Sequence, residues 1–176
     1  MTRSIMKQIL LVLLLIGGFN NAYSQVDIQH YEGIMGAELS VSKTPVGTIV
    51  RGGVSKYISN NIYWKVTAGY GTSRKYQVLI RDYSIDGAIF YSPLNLDGIV
   101  FINFAAGPVV TYERLLKFEP ARSGLLNVGG KAGMELEFPV YDGLLFIANG
   151  YQQFLLKKDY GQKRIEFGLG IKIIIN

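Results

Sequence analysis

The chain of 176 residues contains no cysteine and one histidine, His30. The first absence excludes a disulfide framework, thiolate metal sites and thiol nucleophiles. The second leaves no barrel-borne histidine for an acid–base or nucleophilic site, because His30 precedes the first regular segment. Charge is sparse as well, at 18 % Asp, Glu, Lys and Arg. That low charge, set beside ample aromatics, argues against disorder. Phosphate-cradling glycine loops and Cys/His clusters are absent, and Arg51-Gly52-Gly53 is too short to count as an RNA-binding repeat. No segment carries the i, i+3, i+4 apolar spacing of an amphipathic helix for long enough to matter. No catalytic residue and no cofactor is expected.

The apolar run from Ile9 to Ile16 falls short of the roughly 20 residues that a membrane-spanning helix needs. Arg3 and Lys7 precede it. Gly17, Gly18 and Phe19 follow, and Ala22 and Ser24 then occupy the −3 and −1 positions of a small-x-small cleavage site. Residues 1–24 therefore read as a cleaved export signal, with Gln25 as the mature start. A lipid anchor needs a cysteine at that point, and there is none. Without Arg3 and Lys7 the chain keeps 16 basic and 13 acidic residues, a charge of +3. That is too small to argue for nucleic-acid binding.

What the chain has instead is 21 glycines, 12 tyrosines and alternation. Residues 25–33 read as a periplasmic lead-in, and residues 34–176 as one domain of eight strands. The last strand, Arg164 to Asn176, is the clearest. Ile165, Phe167, Leu169, Ile171, Ile173 and Ile175 share one face, and Arg164, Glu166, Gly168, Gly170 and Lys172 the other. Strand side chains alternate with period two, so one face is apolar and the other polar. Earlier strands are expected at Ile34–Ser42, Thr48–Ile58, Ile62–Thr72, Tyr76–Tyr91, Ile99–Tyr112, Leu125–Phe138 and Leu144–Leu156. Gly52 and Gly53 blur the second and suggest a bulge. Turns are expected at Lys43–Gly47, Ser59–Asn61, Ser73–Lys75, Ser92–Gly98 and Pro139–Gly143. Longer connections fall at Glu113–Gly124 and Lys157–Lys163.

Eight long strands joined by hairpins can close into an up-and-down barrel, which removes both exposed edges. The polarity of the faces points to a transmembrane β-barrel, with apolar residues toward lipid and polar residues toward the lumen. A soluble sandwich is the alternative, since alternation alone does not say which face is inside. In the barrel, Glu38, Lys65, Lys131, Glu135, Glu137, Arg164, Glu166 and Lys172 are expected to face the lumen. Glu135, Glu137 and Lys131 of strand six would share its surface with Arg164, Glu166 and Lys172 of strand eight. An unpaired charge there is costly, so a structural ion-pair network is the expectation. Glycines 69, 71, 107, 129, 133, 168 and 170 point the same way and make room. An eight-stranded lumen is just filled by side chains, so no open pore is expected.

With the N terminus in the periplasm, the turns at Ser59–Asn61, Ser92–Gly98 and Pro139–Gly143 lie there too. The other four connections face outward. Tyr63, Trp64, Tyr91, Tyr112, Phe138 and Phe146 lie near strand ends, where interfacial aromatic girdles belong. The basic pairs Arg74-Lys75 and Lys157-Lys158, with Lys163-Arg164, could meet lipopolysaccharide phosphates.

The signal ending Ala22-Tyr23-Ser24-Gln25, the entry Glu32-Gly33-Ile34-Met35-Gly36 and the ending Gly168 to Asn176 together resemble the TraO family of conjugative-transposon transfer proteins. The resemblance implies a non-enzymatic component of a conjugation apparatus in a Gram-negative outer membrane, with no catalytic residues to carry over. The expected partners are outer-membrane lipid and lipopolysaccharide, the barrel-assembly machinery and other conjugation proteins. The alternative is a free-standing small porin-like or surface-adhesion barrel.

Overall fold

The computed structural model describes residues 31–75, 78–96, 98–115, 124–156 and 163–175. The export signal, His30, most of the lead-in, the Lys157-Lys158 pair and the middle of the Glu113–Gly124 connection lie outside the described residues.

Alternation along each strand produces eight antiparallel strands that close on themselves. They are β1 (Met35–Thr44), β2 (Gly47–Ser59), β3 (Ile62–Lys75), β4 (Val78–Leu96), β5 (Val100–Leu115), β6 (Leu125–Tyr141), β7 (Leu144–Leu155) and β8 (Lys163–Ile175). Each pairs with its neighbours in sequence, and β1 pairs with β8 from Met35↔Ile175 to Lys43↔Phe167. Closure satisfies the edge hydrogen bonds that an open sheet would leave bare. Both ends of the barrel sequence therefore lie at one end of the cylinder, called here the terminal end. The Asn60–Asn61 and Asp142–Gly143 turns lie there as well. The opposite, loop end carries Pro45–Val46, the ends of β3, β5 and β7 and the starts of β4, β6 and β8.

The faces separate cleanly. Leu39, Val41, Val54, Ile85, Phe104, Leu169 and Ile171 are exposed on the outside, with Ile85 at 62 % and Phe167 at 67 %. The buried set is unusual for an interior. It includes Lys65, Asp86, Lys131, Glu135, Glu137, Glu166 and Lys172. An apolar exterior around a polar interior reverses the arrangement of a water-soluble domain. The soluble sandwich is not the fold.

Four expectations about the strands differ from what is seen. Ser92–Gly98 does not break β4, which runs on to Leu96 and absorbs Pro93 in a register shift between Tyr91 and Leu94. Likewise Pro139 sits inside β6, beside a shift between Pro139 and Tyr141, and only Asp142 and Gly143 make the turn. A proline cannot donate to a ladder, and a bulge is where a strand can tolerate one. Gly143 has φ of 71°, the left-handed region that glycine adopts without strain. The third difference is the Gly52–Gly53 bulge, which is absent. Leu39↔Gly52 and Glu38↔Gly53 pair in unbroken register, and the irregularity in β2 falls between Tyr57 and Ser59. Ser73, Arg74 and Lys75, expected as a turn, belong to β3.

One proline lies in mid-strand. Pro108 of β5 pairs with Gly130 of β6, but the β4–β5 ladder skips from Asp86↔Val109 to Ile89↔Ala106. Beside this gap, a side chain at Gly107 would run into the Gly87 carbonyl oxygen and the Ala88 backbone. The missing donor and the close backbone approach occur together.

Candidate functional site

The lumen is the candidate site, and its contents follow from strand phase. In β3 the inward positions Tyr63, Lys65 and Thr67 are buried, while Val66 and Tyr70 face out. In β6, Lys131, Glu135 and Glu137 share the inward phase. In β8, Arg164, Glu166 and Lys172 share it. With Glu38 of β1, all eight candidate charges therefore line one interior. Four further charges join them: Arg51 of β2, Asp82 and Asp86 of β4, and Glu113 of β5.

Near the terminal end, aromatic rings fill the cylinder. Tyr57 and Tyr63 have ring centroids 4.7 Å apart, and Tyr63 stacks on Phe90 at 4.6 Å with planes 13° apart. Tyr151, Ala88 and Ala105 complete this cluster, and Ile34 and Ile174 pack against it. Lys172 is threaded into the rings. Its Nζ donates to Glu137 Oε1 at 2.8 Å and to the Tyr57 hydroxyl at 2.9 Å, and lies 4.3 Å from the Tyr63 centroid. A cation over a ring face is attracted by the ring's quadrupole, most strongly where water is excluded.

One step toward the loop end, Lys65 Nζ lies 2.7 Å from Glu38 Oε2 and 2.6 Å from Glu135 Oε2. The Tyr63 hydroxyl donates to Glu135 Oε1 at 3.2 Å and to Glu137 Oε1 at 3.1 Å. Glu135 also accepts from the Tyr151 hydroxyl at 2.7 Å. Three donors from two strands, β3 and β7, thus converge on one carboxylate, the satisfaction that a buried charge requires.

The middle layer centres on Asp86. It accepts from Thr67 Oγ1 at 2.7 Å and from Lys131 Nζ, and Arg51 Nε lies 3.7 Å away. Arg51 Nη2 donates to Glu166 Oε2 at 2.7 Å, which also accepts from Gln153 Nε2 at 3.2 Å. Lys131 Nζ sits 4.3 Å from the Tyr151 ring centroid. At the loop end, Arg164 forks between two carboxylates, donating to Asp82 Oδ2 at 2.6 Å and to Glu113 Oε1. A cavity of about 180 Å³ opens there, lined by Asp82, Glu113, Arg164, Thr48, Thr72 and Ile49 among others.

The expected partnership between strands six and eight is realised once, as Lys172–Glu137. Lys131 goes instead to Asp86, Glu166 to Arg51, and Arg164 to Asp82 and Glu113. Each of the twelve lumen charges has an ion-pair partner among the described residues. Strand phase could have found the four that were missed. Asp82, Ser84 and Asp86 alternate with Tyr83, Ile85 and Gly87, and Arg51 shares phase with Ile49, Ser55 and Tyr57. Glu113 reads in the sequence as the start of a loop, which hides its phase.

Tyr63 is corrected too. Its place near a strand end suggests an outer aromatic girdle, but it is fully buried in the lumen. Its phase is that of Lys65, and phase decides. Tyr91, Tyr112 and Phe146 do lie on the outside.

Chemically, the arrangement neutralises and fills. Among the described residues, no group of three or more histidine, aspartate and glutamate side chains is placed to hold a metal ion.

No family model matches the sequence, and no curated protein matches it. Among solved structures the chain is similar to Neisserial surface protein A, with 15 % identity and a TM-score of 0.65, covering 80 % of this chain and 95 % of that one. It is similar to a major outer membrane protein of Thermus thermophilus, at 9 % identity and a TM-score of 0.64, covering 82 % and 100 %. The N-terminal β-barrel domain of Pseudomonas aeruginosa OprF is similar at 12 % identity and a TM-score of 0.62, covering 82 % and 98 %. These likenesses are ones of fold: a closed, antiparallel, up-and-down β-barrel of eight strands.

Proposed function

We propose that this chain is a non-enzymatic barrel of a Gram-negative outer membrane, and that it serves as a structural or interaction component of a conjugative DNA-transfer apparatus. One observation carries the first half. Every aspartate and glutamate of the described strands is buried inside, while the outside carries exposed large apolar side chains on all eight strands. Such a surface on a monomer in water would far exceed the few hundred Å² of contiguous apolar patch that soluble proteins tolerate. In a bilayer it is the matching surface. Membership of an outer membrane is supported further by the likeness in fold to a major outer membrane protein of Thermus thermophilus.

The transfer role rests on the resemblance of the Glu32–Gly36 entry and the Gly168–Asn176 ending to the TraO family. The porin-like alternative fits less well, because Tyr57, Tyr63, Phe90 and Leu145 are buried to 1 % exposure or less within the cylinder. The two halves are tested separately. Recovery in the outer-membrane fraction with heat-modifiable gel migration is expected, and full solubility without detergent would sink the barrel reading. Deleting the gene is expected to lower mating frequency. Unchanged mating in a strain that depends on the element removes the transfer role and leaves the free-standing barrel.

A further inference from the structure

The outside of the barrel carries charge of one sign. The outward-facing charged side chains described on the strands are all basic: Lys43, Lys56, Arg81, Arg114 and Lys163. Two of them form a pair. Arg81 of β4 and Arg114 of β5 are register partners, directly opposite one another, and both are exposed. Neither takes part in an ion pair among the described residues. Like charges directly opposite on neighbouring strands repel, and an anion shared between the two guanidinium groups would relieve that repulsion. A guanidinium presents its donors as a planar fork that matches the oxygens of a phosphate.

The surroundings indicate where that phosphate comes from. Arg114 is next to the last residue of β5, and Arg81 is the fourth residue of β4, so both sit at the loop end. Two residues nearer mid-strand, Tyr83 and Tyr112 are again register partners. With Tyr70 they make a row of outward rings, with centroids 5.3 Å apart for Tyr70–Tyr83 and 6.4 Å for Tyr83–Tyr112. The Tyr112 hydroxyl lies against Gly124, at the entry to β6, so this ring leans toward the loop end and Arg114. Tyrosine favours the boundary between hydrocarbon and water. A tyrosine row with arginines one step beyond it places the cations at headgroup depth.

We propose that Arg81 and Arg114, above Tyr83 and Tyr112, hold the phosphate of a lipid headgroup in the leaflet at the loop end. The ligand class is a lipid with a phosphomonoester headgroup, recognised by two guanidinium forks beside the Tyr83 and Tyr112 rings. This inference rests on the membrane-barrel reading above. It also gives that reading an orientation, since the loop end must face the leaflet that carries the phosphorylated lipid.

The test uses the full chain folded in maltoside micelles. Phosphatidic acid or phosphatidylcholine is added at equal concentration, and bound lipid is counted by native mass spectrometry. The wild type and Lys56→Gln, a basic residue at the terminal end, are expected to prefer phosphatidic acid by about tenfold or more. Arg81→Gln/Arg114→Gln is expected to lose that preference. A double variant that keeps it overturns the proposal. Displacement of the lipid by the same concentration of inorganic phosphate overturns it as well, in favour of a soluble-anion site. Should the double variant not fold, Arg81→Gln and Arg114→Gln are compared singly. Each is expected to lose about threefold of the preference, and no loss in either overturns the proposal. Heat-modifiable migration is read on the same samples. A wild type without a folded band brings down the barrel reading itself. A folded band with unaltered lipid preference in the variants brings down only the headgroup site.

Discussion

Lys65 of β3 reaches across the lumen to Glu135 of β6, Nζ to Oε2 at 2.6 Å, and the same Nζ lies 2.7 Å from Glu38 of β1. No two of these strands are neighbours in the sheet. One ammonium therefore ties three separate staves of the barrel, and both of its carboxylates meet it only when β1, β3 and β6 curve around one lumen. The Nζ also sits 4.4 Å from the Phe90 ring centroid, which brings β4 into the same contact.

Replacing Lys65 with methionine keeps most of the volume and leaves Glu38 and Glu135 buried without their cation. Removing one partner of a buried pair costs about 3–5 kcal/mol. Urea unfolding in lipid vesicles, followed by the fluorescence of Trp64, the only tryptophan, is expected to show a loss of that size. Adding Glu38→Gln and Glu135→Gln to Lys65→Met is expected to recover a large part of it. A triple variant no more stable than the single one would mean that the two carboxylates are not held by this lysine.

Tyr63→Phe removes one hydroxyl and nothing else. That hydroxyl serves both Glu135 and Glu137. A hydrogen bond to a charged group contributes about 1.5–3 kcal/mol, so the same unfolding assay should report a loss within that span. Tyr70→Phe, on the outward face of the same strand, is expected to change stability by less than about 0.5 kcal/mol. Equal effects at the two positions would contradict the assignment of Tyr63 to the lumen.

Much of this was legible in the sequence, because a strand repeats every two residues and a barrel has only two faces. The alternation in Ile165–Ile175 and in Asn127–Phe138 sets which side chains point in, and the eight lumen charges follow from it. Tyr63 misleads because aromatic character at a strand end competes with phase. Arg51 misleads because Gly52-Gly53 interrupts the visible pattern, although the backbone runs through both without a shift. The choice of partners was not legible. Lys131 shares a strand with Glu135 and Glu137 yet pairs with Asp86 on β4. Contacts across the lumen depend on how far each strand slides against the next, and no local pattern encodes that offset. The prolines show the same limit: Pro93 and Pro139 read as breaks, and the strands bulge around them instead.

Gly107→Ala is expected to destabilise the barrel by about 1–3 kcal/mol, the usual effect of forcing atoms into a filled site. The added methyl would meet the Gly87 carbonyl and the Ala88 backbone, neither of which can rotate away. Gly130→Ala is the comparison. Its Cβ would come no nearer than 3.9 Å to the Gly107 carbonyl, and it faces outward beside Pro108. A near-neutral or slightly stabilising effect is expected there, since alanine restricts the unfolded chain more than glycine does. The difference between the two midpoints of unfolding is the measurement. Similar losses at both sites would point to a requirement for flexible backbone in this part of the sheet, in place of the close approach at Gly107.

The last strand carries the sharpest consequence of the inverted polarity. Ile171 is 46 % exposed and pairs with Leu39 of β1 and Phe146 of β7, so it sits in the apolar band at the seam where the first and last strands meet. Lys172, the next residue, is fully buried and paired with Glu137. Adjacent positions thus meet opposite solvents. Arginine on a lipid-facing site costs about 2–4 kcal/mol at the bilayer midplane and less toward the interfaces. Ile171→Arg is therefore expected to lower the yield of heat-modifiable barrel in the outer-membrane fraction, whereas Ile171→Leu leaves it unchanged. Because Ile171 lies on the closing strand, the defect should show as unassembled chain in the periplasm and not as a folded barrel of lower melting temperature. Assembly of Ile171→Arg at the wild-type level would mean that this face does not meet lipid.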